Sequence, residues 1–524
     1  MRPLVPLLAA AGLLLAAAPG ADAALRWRSC PGRSQCASLR LPEDYARPHG
    51  KRVRIALARL PARDRAHRIG SLFVNFGGPG GTGVDTVEQV GPTLFSTLNG
   101  RFDIVGFDPR GVGRSRPALD CKVDQEKEGV YAKPFFRPGF SAARLIRSDR
   151  RYVRRCVRLN RGVLPYVSTA NVARDLDRMR AAVGDAKLSY LGFSYGTFLG
   201  ATYSSLFPAH VRALVLDGAL DPDQYVNHPL ANLDDQTAGF ELALGRFLAA
   251  CKAHPGACLH FGAGHPAAAF DHLVRRLNRH PLRVRGRRVR VDGDDVLAAA
   301  GNDLYAKQSW PDLAAALVLA GRRHDGTLLR DAVDEFYGYL GHGRYDPSSD
   351  RYFLIGAIEQ RYPHTLGVYF RSGRASYHHH PHFWWNHGYS ELSWGLFPVK
   401  PRGVFRGPFT TPASAPTTLV VGTTFDPATP YDGNRAAARE LGNARLLTME
   451  GDGHTAYGGN SACIDAAVDA YLIAGTLPPV GKRCRQHVSF GQPLGPGRAG
   501  VAAAGRPAAD PREDPAFIRA SRMR

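Results

Sequence analysis

Three residue types in a fixed order carry the chemistry legible in this chain: a serine held between glycines, then an aspartate, then a histidine. Ser194 is the centre of Gly192-Phe193-Ser194-Tyr195-Gly196. The pattern G-x-S-x-G suits a nucleophile on a sharp strand-to-helix turn, where the serine takes strained backbone angles and flanking side chains would clash. Taken alone, the pentapeptide reads equally as one more bend in a chain of 57 glycines. Its setting favours the turn, since the apolar run KLSYLGF precedes it and the helix-like TFLGATYSSLF follows.

A serine hydroxyl is a weak nucleophile unless a base takes its proton and a carboxylate orients that base. Asp426 follows the apolar run TTLVVGTTF, and His454 follows ARLLTMEGDG. Singly they read as a turn aspartate before Pro427 and a histidine in a glycine-rich loop. In the order Ser, Asp, His, each after a strand-like run, they read as the acid and base of an acyl-transfer site. The glycine-rich stretch Asn75-Phe76-Gly77-Gly78-Pro79-Gly80-Gly81 supplies the fourth part. The expected oxyanion donors are the backbone N–H groups of Tyr195 and Gly78. A phosphate cradle is the rival reading of these glycines, and it fails because no G-x-x-x-x-G-K-[ST] is present.

The elements that must position these residues follow from periodicity. The runs at 71 to 78, 102 to 108, 187 to 194, 211 to 218, 417 to 426 and 444 to 454 are apolar throughout rather than alternating. Such runs suit strands buried on both faces of a parallel sheet. Stretches with helical spacing, such as 169 to 184 and 461 to 475, lie between them. The alternation predicts an α/β fold with a mostly parallel central sheet flanked by helices. It stops near Asp221 and resumes near Thr417, with a helix-rich segment between. The expected organisation is a core over 24–221 and 417–490, with a large, mainly helical lid over 222–416 above the carboxyl ends of the strands. Residues 491–524, rich in Gly, Pro, Ala and charge, are expected to be a disordered tail.

Residues 1–23 carry an arginine, a Leu/Ala run and Ala21-Asp22-Ala23, the three parts of a secretory signal peptide. The run is shorter than the ~20 apolar residues that span a bilayer, so a secreted protein without a membrane span is expected. Eight cysteines, none in a C-x-x-C pair, fit disulfides in an oxidising compartment. The sequence-local pairing would be Cys30 with Cys36, Cys121 with Cys156, Cys251 with Cys258, and Cys463 with Cys484. The net charge of +22 raises a polyanion partner. The basic residues are scattered apart from Arg283 to Arg290 and no nucleic-acid motif accompanies them, so a solvated basic surface is the preferred reading.

The set GGPGG, DPRGVGRS (108 to 115), GFSYGT, FDPATP and GDGHTAYGG resembles the secreted bacterial tripeptidyl aminopeptidases, α/β-hydrolases related to proline iminopeptidase. The resemblance implies an α/β-hydrolase fold with Ser194 as nucleophile, Asp426 as acid and His454 as base. It implies an exopeptidase releasing tripeptides from free amino termini, without metal or organic cofactor. SACIDAAVDAYLIAGTLPPVGKRC is similar to the family's closing segment and supports pairing Cys463 with Cys484.

The chain also departs from the pattern. Phe76 stands where a histidine precedes the glycines in proline iminopeptidases, and Ala357-Ile358-Glu359-Gln360-Arg361-Tyr362 lacks the cysteine and aspartate of the usual Ala-Ile-x-Cys-x-Asp. Asp234, Asp235, Glu241 and Glu359 are therefore the lid carboxylates available to grip a substrate's amino group. An esterase, amidase or lactone hydrolase acting on small acyl substrates is the alternative enzyme. A secreted binding protein on the same scaffold is the non-catalytic one, and a monomer is the favoured quaternary state. Five histidines between His378 and His387 raise a metal site, but Pro381 breaks the segment, and an aromatic lid surface shaping the pocket is the preferred reading.

Overall fold

The computed structural model describes residues 25–135, 141–488 and 490, so the expected leader and tail lie outside the described residues. The strands in chain order are β1 (Arg28–Ser29), β2 (Gln35–Pro42), β3 (Arg52–Leu60), β4 (Gly70–Asn75), β5 (Phe102–Asp108), β6 (Leu188–Phe193), β7 (Val211–Asp217), β8 (Leu282–Arg283), β9 (Arg290–Val291), β10 (Thr418–Phe425), β11 (Ala444–Asp452) and β12 (Arg483–Arg485). Ten of them form one sheet in the order β1-β2-β3-β5-β4-β6-β7-β10-β11-β12, while β8 and β9 pair as a separate hairpin. β1 to β3 join antiparallel and β3 meets β5 antiparallel. Every pairing from β5 through β4 to β12 is parallel.

All six runs read as strands from the sequence form the parallel part. Their apolar character has a two-sided cause. Phe73, Tyr190, Leu214 and Val420 face one layer, with the helices Thr169–Ala182, Tyr195–Leu206 and Tyr431–Leu441. Their neighbours Leu72, Val74, Leu191, Val215 and Val421 face the other, with Val87 of Gly83–Gln89 and Ile464, Val468 and Leu472 of Ala462–Ala474. Each residue alternates sides, and both sides are covered. β2 and β3 escaped the sequence reading because β3 (RVRIALARL) alternates arginine with apolar residues at its start, as suits an antiparallel strand near the sheet edge.

Between β7 and β10 the chain is helical apart from the β8–β9 hairpin, and builds a core of its own around Phe247, Leu273, Leu313, Leu317, Leu329 and Val333. Two segments cross the boundary expected from sequence. Phe135 and Leu145, which precede β6, pack into this second core. Conversely, Phe353, Ile355 and Ile358 of helix Ser348–Glu359 pack with the sheet layer. All four cysteine pairs are joined as the sequence-local reading has them, with Cα separations of 5.8, 4.5, 5.2 and 5.7 Å. Among the described residues no helix is long and apolar enough to cross a membrane.

Candidate active site

Ser194 joins β6 to helix Tyr195–Leu206 at φ 55° and ψ −127°, outside the regions open to most L-residues. Such a conformation costs about 1–3 kcal/mol and persists only where the surroundings hold it. Two contacts do so: the Ser194 N–H donates to the Asp217 carbonyl at 2.9 Å, and the Ser194 carbonyl accepts the Thr197 hydroxyl at 2.6 Å. Both flanking glycines are dictated by space. A Cβ on Gly192 would lie 2.4 Å from the Gly196 carbonyl oxygen, and one on Gly196 would lie 2.7 Å from the Asn75 carbonyl oxygen.

The glycine-rich loop after β4 packs directly on this turn. At Gly77, with φ 86°, a Cβ would stand 2.6 Å from the Phe193 carbonyl oxygen and 2.9 Å from Ser194 Cβ. Asn75 Oδ1 accepts the Gly77 N–H at 3.0 Å and fixes the loop's departure from β4. Downstream, the buried Asp108 carboxylate accepts the N–H groups of Gly83 (2.9 Å), Val84 (3.0 Å) and Arg114 (2.7 Å), binding the loop's exit to β5. Burial raises the Asp108 pKa to about 6, against the pull of those bonds. Arg110, from the same DPRG stretch, is fully buried against both oxygens of Asp175 at 2.6 and 2.7 Å. Removing one partner of such a pair costs about 3–5 kcal/mol, so it anchors this corner.

Asp426 and His454 meet at the ends of β10 and β11. His454 Nδ1 lies 2.9 and 3.0 Å from the two Asp426 oxygens. The aspartate is held in turn by the N–H groups of Ala428 and Thr429, both at 2.9 Å, and by the Thr429 hydroxyl at 3.0 Å. The lid grips the histidine from above: His454 N–H donates to the Tyr305 carbonyl at 2.6 Å, and Asp452 accepts from Lys307 at 2.8 Å and from Arg246.

A cavity of about 270 Å³ opens over Ser194. Gly78 and Tyr195 line it on the core side, with Thr429 beside the Asp426 turn. Tyr131, Phe240, Tyr305, Tyr352, Phe383 and Trp385 form aromatic walls, with Asn232, Gln236 and Asn386 as polar groups. Among the described residues no charged side chain lines it. A second hollow shares Leu220, Asn232, Ala428 and Thr429 with it and carries Asp221, Asp235 and Asp432.

The four lid carboxylates singled out in the sequence therefore go to different places, and none lines the cavity itself. Asp235 reaches the adjoining hollow, where it accepts Gln224 Nε2 at 2.8 Å. Asp234 lies 4.0 Å from His380 Nε2 and 3.8 Å from His387 Nε2. Glu241 is bonded to His382 Nδ1 at 2.5 Å, while His382 Nε2 meets Asp271 at 2.9 Å. Burial opposes the charge on His382, but the two carboxylates outweigh it and hold its pKa above the usual value. Glu359 is wholly buried beneath the Ser194 turn: it accepts the Thr169 N–H at 2.6 Å, and the Thr169 hydroxyl meets the Tyr195 hydroxyl at 2.6 Å. Burial lifts Glu359 to about 7.

Two supporting residues escaped the sequence reading. Asp217 ends β7, and its carboxylate accepts the N–H groups of Ala456 (3.0 Å) and Tyr457 (2.8 Å) just after His454. Burial raises it to about 7, partly offset by those two bonds and by His454. Thr429 buttresses Asp426. Both stood inside stretches already read in the sequence, the run at 211 to 218 and FDPATP, but their partners lie on other strands.

Comparison with known proteins agrees with this architecture. A family model for the alpha/beta hydrolase fold matches residues 71–460. Serine protease Hip1 of Mycobacterium tuberculosis is 35% identical over 469 residues, covering 87% of this chain and 88% of that protein. Carboxylesterase B of the same species is 33% identical over 457 residues, covering 86% of each. Tripeptidyl aminopeptidase of Streptomyces lividans is 30% identical over 498 residues, covering 92% of this chain and 90% of the relative. With identity sustained over nearly the full length of these relatives, the chain belongs to the α/β-hydrolase family, in the group that includes the tripeptidyl aminopeptidases.

Proposed function

We propose that this serine hydrolase is an exported exopeptidase that releases short peptides, tripeptides among them, from free amino termini. Ser194 Oγ attacks the carbonyl, and His454 takes its proton and later returns it to the leaving amine. Asp426 holds the imidazole in the tautomer this requires, and the N–H groups of Tyr195 and Gly78 donate to the oxyanion. Water then releases the acyl group from Ser194. The observation that carries the reading is His454 Nδ1 seated between both oxygens of Asp426, with Ser194 at the floor of the cavity.

The acid-bearing hollow beside the cavity supports a free amino terminus as the recognition element, with Asp235 its partner from the lid. The relatives named as a serine protease and a tripeptidyl aminopeptidase support peptide bonds as the target. Four cysteine pairs and the leader-like first 23 residues support export. One observation favours a second reading, hydrolysis of small acyl esters: the walls of the cavity are aromatic and uncharged, and one relative is named a carboxylesterase.

Turnover of tripeptidyl-, aminoacyl- and N-acetyl-tripeptidyl-p-nitroanilides, set beside simple acyl esters, separates the two. The proposal expects the free tripeptide derivative to be the best substrate and Ser194→Ala to be inactive on all. Cleavage of esters alone would reverse the order of the two readings.

A further inference from the structure

One helix carries a stripe of exposed arginines along a single face. Helix Ala142–Asn160 and its cap, Arg161, place Arg144, Arg147, Arg150, Arg151, Arg154, Arg158 and Arg161 on the surface, all exposed. At 3.6 residues per turn these seven fall within a sector of about 120° and extend over about 25 Å of helix axis. The opposite face is buried through Leu145, Tyr152, Val153 and Cys156. The helix's one acid, Asp149, belongs to that inner side: burial raises its pKa well above the usual carboxylate range. Among the described residues no carboxylate pairs with any of the seven. The basic stretch that stood out in the sequence behaves differently, since Arg285 and Arg287 pair with Asp325 and Asp334, just before and within helix Thr327–Phe336.

Like charges three and four residues apart repel along a helix. Adjacent members of the stripe are separated by about 5 Å of rise, inside the ~8 Å screening length of physiological salt. The stripe is therefore a standing electrostatic cost that an anionic partner would relieve. It is also rigid: the Cys121–Cys156 disulfide and the bond from Tyr152 Oη to Asp350, 2.9 Å, fix the helix to the body of the protein. A fixed row of guanidinium groups matches repeated phosphates, which arginine binds through paired N–H donors.

We propose that the exposed face of helix Ala142–Asn160 binds a linear, base-free phosphate polymer and so retains the enzyme on an anionic matrix. A bilayer is less well matched, because the apolar side of this helix is spent on the core and leaves nothing to insert. Nucleic acid is less well matched too, because Tyr152, the helix's one aromatic residue, is buried and offers no stacking platform.

The test titrates the full chain with long-chain inorganic polyphosphate at several salt concentrations. Replacing Arg147, Arg151, Arg154 and Arg158 by glutamine should flatten the slope of log K against log salt by about 3, from about 0.7 per lost contact. Replacing the same four by lysine should preserve the slope, and replacing Arg283, Arg285, Arg287 and Arg288 by glutamine should change it by less than about 1. Ester turnover by each variant reports that it is folded. Equal flattening by the stripe and hairpin variants would overturn the proposal in favour of diffuse charge. Tighter, stripe-dependent binding of single-stranded DNA, or of phosphatidylglycerol vesicles, than of polyphosphate would overturn it in favour of that partner.

Discussion

The main-chain carbonyl of Asp217 accepts the N–H of Ser194 at 2.9 Å, while the carboxylate of the same residue accepts two N–H groups immediately after His454. One buried residue at the end of β7 thus sets where the proposed nucleophile stands relative to the proposed base. Asp217→Asn keeps the carbonyl but turns an acceptor oxygen into an N–H donor facing other donors. Mispairing of this kind costs about 1–3 kcal/mol. We expect kcat to fall about ten- to a hundredfold with KM little changed, and fluorophosphonate labelling of Ser194 to slow in parallel. A variant that is merely less heat-stable, with labelling unaltered, would show Asp217 to be structural only.

Asp426→Asn should leave the fold intact and lower kcat by about 10³–10⁴, since an amide cannot both orient His454 and stabilise its imidazolium. The aspartate's bonds to Ala428, Thr429 and the Thr429 hydroxyl favour retention of the loop. Steady-state kinetics on an activated ester decide this. A loss of less than tenfold would remove Asp426 from the mechanism.

At Gly77 the expected effect is steric. An alanine Cβ would meet the Phe193 carbonyl oxygen and Ser194 Cβ, so Gly77→Ala must push the loop off the Ser194 turn. Activity should fall at least a hundredfold, with the proposed oxyanion donor Gly78 carried away from the reacting carbonyl. Gly184→Ala, also at positive φ but with open space around it, serves as the control that separates strain from collision.

Asp235→Asn tests amine recognition without touching the chemistry. KM for a tripeptidyl anilide with a free amino terminus should rise about tenfold, and kinetics on a simple ester should stay as they were. The same KM increase on both substrates would place Asp235 in general packing rather than in amine recognition.

Glu359 makes a prediction about stability. Burial raises its carboxyl to about 7 from 4.5, so between those values the folded chain keeps a proton that the unfolded chain has released. Folding stability contributed by this group is therefore full at low pH and is lost as pH rises through that window. Glu359→Gln removes the titration. Its stability relative to the parent should increase from about pH 4.5 to 7 and then level off, by at most about 3 kcal/mol at 1.36 kcal/mol per pKa unit. Urea midpoints of both proteins across this range provide the measurement, and a pH-independent difference would contradict it.

Local physics made much of this protein legible without coordinates. Short runs that are largely apolar rather than alternating suit strands covered on both faces, which is how the six parallel strands and the turn at Ser194 could be read directly. G-x-S-x-G, the glycine loop and the order Ser, Asp, His are constraints among residues a few positions apart or on successive strands. The antiparallel β3 was less visible because its arginines interrupt the apolar signal.

Tertiary structure alone decided where the lid carboxylates lie relative to the cavity. Asp234, Asp235, Glu241 and Glu359 look alike in sequence, yet one borders the site, two meet histidines and one lies buried beneath Tyr195. The bond from Ala456 to Asp217 spans 239 residues and depends on the register of β7, β10 and β11, which no local pattern encodes. The arginine stripe belongs to the same class: its spacing is written in the chain, but its lack of carboxylate partners among the described residues is a property of the folded surface.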